Sequence, residues 1–189
     1  MPDQIQKWLV IDASIGGTAG GGSVELGTPK EKCRLCLRAV LANSYGALFH
    51  PQTWEEWQRH KSEYSRQWLS DMYSRKKLKN IAEEDTVATG LRARLKKLVE
   101  TKIGREEISA PIFEIMLKDC HLLEAALDKS AGMIILSLDD KARFHFKMVS
   151  VQIKDIRSVV WVNPGQPEEG AIAWLEAGAR PDIHRMLGS

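Results

Sequence analysis

A chain of 189 residues with 43% hydrophobic content is long enough to bury one core, and is expected to form a single domain with additions. A net charge of only +2 excludes a polycation that coats any anionic polymer, and three cysteines are too few and odd in number for a disulfide framework. No run reaches the ~18 apolar residues of a membrane span and no signal-peptide pattern opens the chain, so no membrane partner is expected and the expected location is a reducing, cytoplasmic one.

In chain order, the first element is WLVID, residues 8–12, an apolar run with the length of a buried strand that stops at a lone Asp12. Gly16, Gly17, Gly20, Gly21 and Gly22 follow, but no start among them gives the 1, 3, 6 spacing of a dinucleotide fingerprint. Gly22 is followed directly by Ser23, so the lysine of a phosphate-binding P-loop is missing as well. The glycines therefore read as a flexible connector. TPKE then supplies Thr28 as N-cap, Pro29 at the first helical position and Glu31 to close a capping box, which predicts a helix from Pro29 to about Leu41. Cys33 and Cys36 lie on it among Leu35, Leu37 and Val40, and read as buried apolar residues rather than as a zinc or redox pair.

A second strand is expected at Ala47–His50. TWEE places Thr53 as N-cap and Glu56 at the third position of a helix with Trp57, Tyr64, Trp68 and Met72 in its stripe, running to about Arg75. Residues 76–108 are strongly charged and read as helical in part, with breaks at Gly90 and Gly104. Another helix is expected from Pro111 to about Lys129, then GMIILSLDD as a buried strand ending at Asp139 and Asp140. A helical segment at Lys141–Phe146, strand-like VSVQI and VVWVNP, and short tail helices at Glu168–Ala177 and Ile183–Met186 complete the reading. Strands alternating with helices predict an α/β fold, a three-layer α/β/α sandwich on a mostly parallel sheet.

Charge is distributed unevenly. Between Gln58 and Arg105 there are 13 Lys or Arg against 6 Asp or Glu, a net of +7 that leaves −5 for the rest of the chain. That stretch reads either as a surface for an anionic partner or as a solvated helical insertion. The acids are more telling. Ligands in open α/β sheets bind outside the carboxyl ends of the strands, where Asp12 and Asp139 fall. Asp119 interrupts the apolar stripe of Ile112, Met116, Leu123 and Ala126 on its helix, from which Lys118 and His121 point elsewhere. A buried carboxylate calls for a cation or a metal. Taken one at a time, Glu56 reads as a capping residue and Asp139 as an N-cap, with Glu55 and Asp140 as alternatives beside them. Together, four acids at the ends of core elements suit a hard cation such as Mg²⁺ or Mn²⁺.

VIDAS at 10–14, a glutamate early in the following helical region, KDCHLLEAAL at 118–127 and IILSLDD at 134–140 resemble, in order and spacing, the acidic motifs of PIN-domain ribonucleases. The resemblance spans about residues 6–164 and implies a PIN-like nuclease domain over 1–164, with a basic insertion at about 74–108 and a C-terminal extension at 165–189. It implies catalytic and metal-holding roles for Asp12, Glu56, Asp119 and Asp139, support from Ser14, Ser137 and Asp140, and Mg²⁺ or Mn²⁺ as cofactor. The reaction implied is hydrolysis of single-stranded RNA, leaving a 3′-hydroxyl and a 5′-phosphate. Lys76, Lys77, Lys79, Arg92, Arg94, Lys96 and Lys97 are the expected contacts to the RNA backbone. Trp54, Trp57 and Trp68 could stack bases, with core positions preferred for Trp57 and Trp68. Resemblance to small bacterial PIN toxins further implies a protein antitoxin and a possible homodimer, with Trp161 and the tail as surface. The alternative is a catalytically inactive PIN-fold module that binds RNA or protein.

Overall fold

The computed structural model describes residues 7–81, 89–103 and 110–189. Five strands form one sheet: β1 (Lys7–Ile11), β2 (Tyr45–Phe49), β3 (Leu78–Asn80), β4 (Ile134–Leu136) and β5 (Val160–Val162). Their order is β3-β2-β1-β4-β5 and every pairing is parallel. Eight helices among the described residues connect and flank them: α1 (Ala13–Thr18), α2 (Pro29–Ala42), α3 (Pro51–His60), α4 (Glu63–Ser74), α5 (Thr89–Ile103), α6 (Ala110–Ala126), α7 (Asp140–Ser150) and α8 (Ala171–Glu176).

The strands are apolar on both faces because both are covered. Leu9, Ile11, Ala47, Phe49, Leu136 and Val162 pack with residues of α1 to α4 and α8. Val10, Leu48, Ile135 and Trp161, at the alternate positions, pack with residues of α5, α6 and α7. This arrangement is α/β and consistent with three layers.

Trp57 and Trp68 are core residues, as expected: their rings stack with centroids 5.6 Å apart, and their indole N–H groups donate to the carbonyls of Ile11 and Leu37. Trp54 is half-buried and meets Phe49 edge-on. The cysteines of α2 are buried as well, and burial pushes the Cys33 thiol up to about 12.

Several elements depart from the sequence reading. The glycine stretch is not a flexible connector. Its first half is α1, where Gly16 is buried so closely against Trp57 that an added Cβ would stand 2.6 Å from the ring. Its second half is tied down by Arg34, whose guanidinium donates to the carbonyls of Ala19, Gly20 and Gly22, and only Gly20 and Gly22 of the five adopt positive φ.

The helix expected at Thr53 begins earlier, at Pro51, with His50 as N-cap accepting the Gln52 N–H through Nδ1. It also breaks. Ser62 caps a separate α4 and donates to the Gly16 carbonyl, which joins α4 to α1. VSVQI is not a strand: Ala142, Phe146 and Val149 recur at helical spacing on the inner face of α7, so packing overrides the β-preference of the valines.

The strongly charged stretch contains β3, a three-residue edge strand with little apolar signal. Gly90 lies in the first turn of α5 rather than at a break, and the break expected at Gly104 lies outside the described residues. The tail packs onto the domain through the Lys7 ammonium, which donates to the carbonyls of Gly178 and Ala179, and through a bridge between Val160 and Met186. Trp161 is fully buried beside Phe146 and offers no surface to a partner.

Candidate functional site

Strand order reverses between β1 and β4, which pair directly through Val10 with Ile135 and Ile11 with Leu136. Side chains placed just after these two strands therefore project from neighbouring positions on one rim of the sheet. A cleft of about 450 Å³ opens there, lined by Asp12, Ser14, Glu56, Asp119 and Asp139, by Gly17 and Thr18 of α1, by His60, and by the cations Arg59 and Lys118. The four acids expected from the sequence thus share one cleft.

Each acid is held differently. Asp12 is the N-cap of α1, and its Oδ2 accepts from two hydroxyls, Ser14 and Ser137, each at 2.6 Å. The same hydroxyls accept backbone N–H groups from the β4 turn: Ser14 Oγ from Leu138 at 3.3 Å and Ser137 Oγ from Asp139 at 3.0 Å. Two short side chains thereby lock the ends of β1 and β4 into one unit. Asp12 Oδ1 has only a 3.4 Å contact from the Ser14 N–H, so this oxygen is the one open to a cation. Asp139 caps α7 through Oδ1, which accepts the Ala142 N–H at 2.8 Å. Its expected roles as cap and as cleft residue coexist, because a carboxylate has two oxygens.

Asp119 lies partly buried on α6, and its carboxyl is pushed up to about 6. Burial is the main cause. Asp139 and Asp12 add to it by like-charge repulsion, and the Lys118 ammonium opposes it. Lys118 therefore does not point away from the site as helical spacing suggested; adjacent residues on a helix are only about 100° apart, and the cleft is wide enough to take both.

Glu56 carries no capping duty, since its helix opens at Pro51, while Glu55 is exposed and does not line the cleft. The Glu56 carboxyl is held below its usual range, chiefly by His121, against the opposing effect of burial. His121 is fully buried; its Nδ1 contacts the Lys118 carbonyl at 2.8 Å and its Nε2 stands 3.5 Å from Glu56, at the outer limit for a hydrogen bond. Behind it, Arg92 grips the buried Glu124 with two hydrogen bonds, at 2.8 and 3.0 Å, and donates to the Leu117 carbonyl. Gln52 bridges the Arg92 guanidinium and the Lys118 carbonyl. This polar seam fixes α6 against α3 and α5, and so fixes Asp119 relative to Glu56.

Some expected residues lie elsewhere. Asp140 turns from the cleft and accepts from Asn163 and Gln166, both at 2.8 Å. It supports the site indirectly, since the same Asn163 amide also donates to the Leu138 carbonyl in the turn that carries Asp139. Of the expected RNA contacts, Lys77 is buried, and its ammonium donates to the Leu41 and Asn43 carbonyls. Arg92 is committed to Glu124, and Arg94 pairs with Asp155 at 2.7 Å. Lys76, Lys79, Lys96 and Lys97 are exposed.

Sequence reading missed Arg59 and Lys118 as cleft residues and Asn163 as a brace. Lys118 adjoins Asp119, which was a usable signal, whereas nothing local marks Arg59 or Asn163.

Among the described residues, no three His, Cys, Asp or Glu side chains converge as ligands of one metal ion. The chain matches no family model, no curated protein and no solved structure.

Proposed function

We propose that the protein is a metal-dependent endoribonuclease of PIN-like type that hydrolyses single-stranded RNA, acting as the toxin of a toxin-antitoxin pair. The observation that carries this reading is the meeting of Asp12, Asp119, Asp139 and Glu56 in one open cleft at the β1/β4 reversal, with Asp119 driven up to about 6 by burial and by two of the other acids. A carboxyl in that state gains most from a nearby positive charge.

The donor set suits Mg²⁺ or Mn²⁺: all four groups offer oxygen, and Asp12 Oδ1 is left almost free of hydrogen bonds. Asp12, Asp119 and Asp139 would hold the ion, with Glu56 completing the set. A divalent ion held by these residues would supply an activated water and charge neutralisation at the attacked phosphate. The chain's own contribution is positioning: Ser14 and Ser137 orient the Asp12 carboxylate, α7 orients Asp139, and the His121 seam orients Glu56. An antitoxin and a homodimer belong to the same reading, and the described chain contains no helix long and apolar enough to cross a membrane.

One observation favours a second reading, a binding module without cleavage: the acids share the cleft without closing on a common point. The test is cleavage of labelled single-stranded RNA with Mg²⁺ or Mn²⁺, with EDTA, and by Asp12→Asn and Asp139→Asn. The nuclease reading expects products that need the metal and both acids. Folded, metal-supplied protein that binds RNA without cutting it would establish the second reading.

A further inference from the structure

We infer that Arg59 and Lys118 hold the phosphates of the substrate strand across the acidic cleft, an inference that rests on the nuclease reading, and that Lys76, Lys77, Arg92, Arg94 and Lys97 do not. In a parallel sheet all strands share one polarity, so residues just before a strand lie at the opposite rim from residues just after one. The cleft follows β1 and β4. Lys76 and Lys77 precede β3, and Lys77 bonds to the carbonyls of Leu41 and Asn43, which precede β2. Arg94 pairs with Asp155, and Lys97 lines a groove with Gln152 and Ile153, all of which precede β5. These positions lie at the amino ends of the strands. Arg92 sits nearer the cleft, but Glu124 occupies its guanidinium.

Arg59 and Lys118 are placed the other way. Both are exposed, both line the cleft, and neither takes part in an ion pair among the described residues. They stand on different elements, α3 and α6, so a strand lying over the acids meets cations presented by two helices. Both already act on the acids: Lys118 opposes the rise at Asp119, and both cations help to hold Glu56 low. Their charge therefore offsets the repulsion between the acids and a phosphodiester, and their donors remain available to phosphate oxygens.

The test is binding of a labelled single-stranded RNA oligonucleotide by the full chain in EDTA, over a series of salt concentrations. Arg59→Ala and Lys118→Ala are each expected to weaken binding about tenfold and to flatten the slope of log K against log salt by about 0.7, as loss of one phosphate contact requires. Lys118→Arg keeps the charge and is expected to retain most of the affinity. Lys154→Ala, an exposed cation in the turn before β5, is the matched control and is expected to bind as wild type. Unchanged affinity and slope in both alanine variants would overturn the inference. So would a larger loss in a Lys96→Ala/Lys97→Ala chain, or no binding by the wild type. Failure of the nuclease reading looks different: no cleavage with either metal, while binding still follows Arg59 and Lys118.

Discussion

The two rims of the sheet carry similar charged residues in opposite conditions. At the carboxyl ends of β1 and β4, four carboxylates and the two cations Arg59 and Lys118 line one open cleft, and the strongest perturbation is the upward push on Asp119. At the amino ends, Lys77 is sealed beneath the carbonyls that end α2, and Arg94 is paired with Asp155. What separates them is strand polarity, not charge density. A parallel sheet delivers the residues that follow its strands to one rim and those that precede them to the other, so the rim decides which charges meet a ligand and which brace the fold.

The sharpest break of this comparison is at Asp12. Asp12→Asn keeps an N-cap but removes the charge at the centre of the cleft, and all metal-dependent RNA cleavage is expected to vanish while the melting curve stays cooperative. Ser137→Ala comes next. It takes a donor from Asp12 and an acceptor from the Asp139 N–H at a fully buried position, so cleavage is expected to fall about 10–100-fold, as for loss of a ligand-orienting group. Thermal unfolding of the same variant should show about 1–3 kcal/mol of lost stability from the unpaired buried N–H.

Arg92→Ala tests the polar seam behind the cleft. Glu124 stays buried and loses its guanidinium partner, keeping the 3.7 Å His50 contact and Cys120 beside it, and denaturant unfolding is expected to report about 1.5–3 kcal/mol of destabilisation. An unchanged midpoint would show that the seam does not hold α5 and α6 together. Gly16→Ala forces a methyl group against the Trp57 ring and is expected to cost about 1–3 kcal/mol by overpacking.

The subtlest effect concerns pH. Asp119 binds its proton more tightly in the folded state, with a value near 6 against 3.8 for the free group, so folding loses stability as pH rises through that interval. Asp119→Asn is therefore expected to melt above wild type at pH 7, with the gap closing toward pH 4, where the wild-type group is itself neutral. A gap independent of pH would sever the link between burial of this acid and the stability of the cleft.

Legibility in the sequence followed how local each signal is. Thr28, Pro29 and Glu31 marked the start of α2, because capping is settled within one turn: Thr28 accepts the Glu31 N–H, and Glu31 in turn accepts the Gly27 N–H at 2.5 Å. The apolar runs that became β1, β4 and β5 were visible as buried strands. Local reasoning erred where two signals competed. Thr53 looked like a cap, yet Pro51 and His50 had already opened α3. VSVQI had strand composition, yet its inward positions continued the helical period. The edge strand β3 has one apolar residue in three and pairs only with β2, so its existence depends on a neighbour distant in sequence.

The sequence by itself determined that this is an α/β chain, that Asp12 and Asp139 end core strands, and that Asp119 breaks an apolar helix face. Each follows from the period of side chains along one element. Only the tertiary structure decided that the acids share a cleft with Arg59 and Lys118, that both serine hydroxyls turn onto Asp12, and that Lys77, Arg92 and Arg94 are spent on internal partners. The physical reason is that burial and pairing depend on which elements become neighbours. Strand order fixes that, and no single stretch of sequence encodes it.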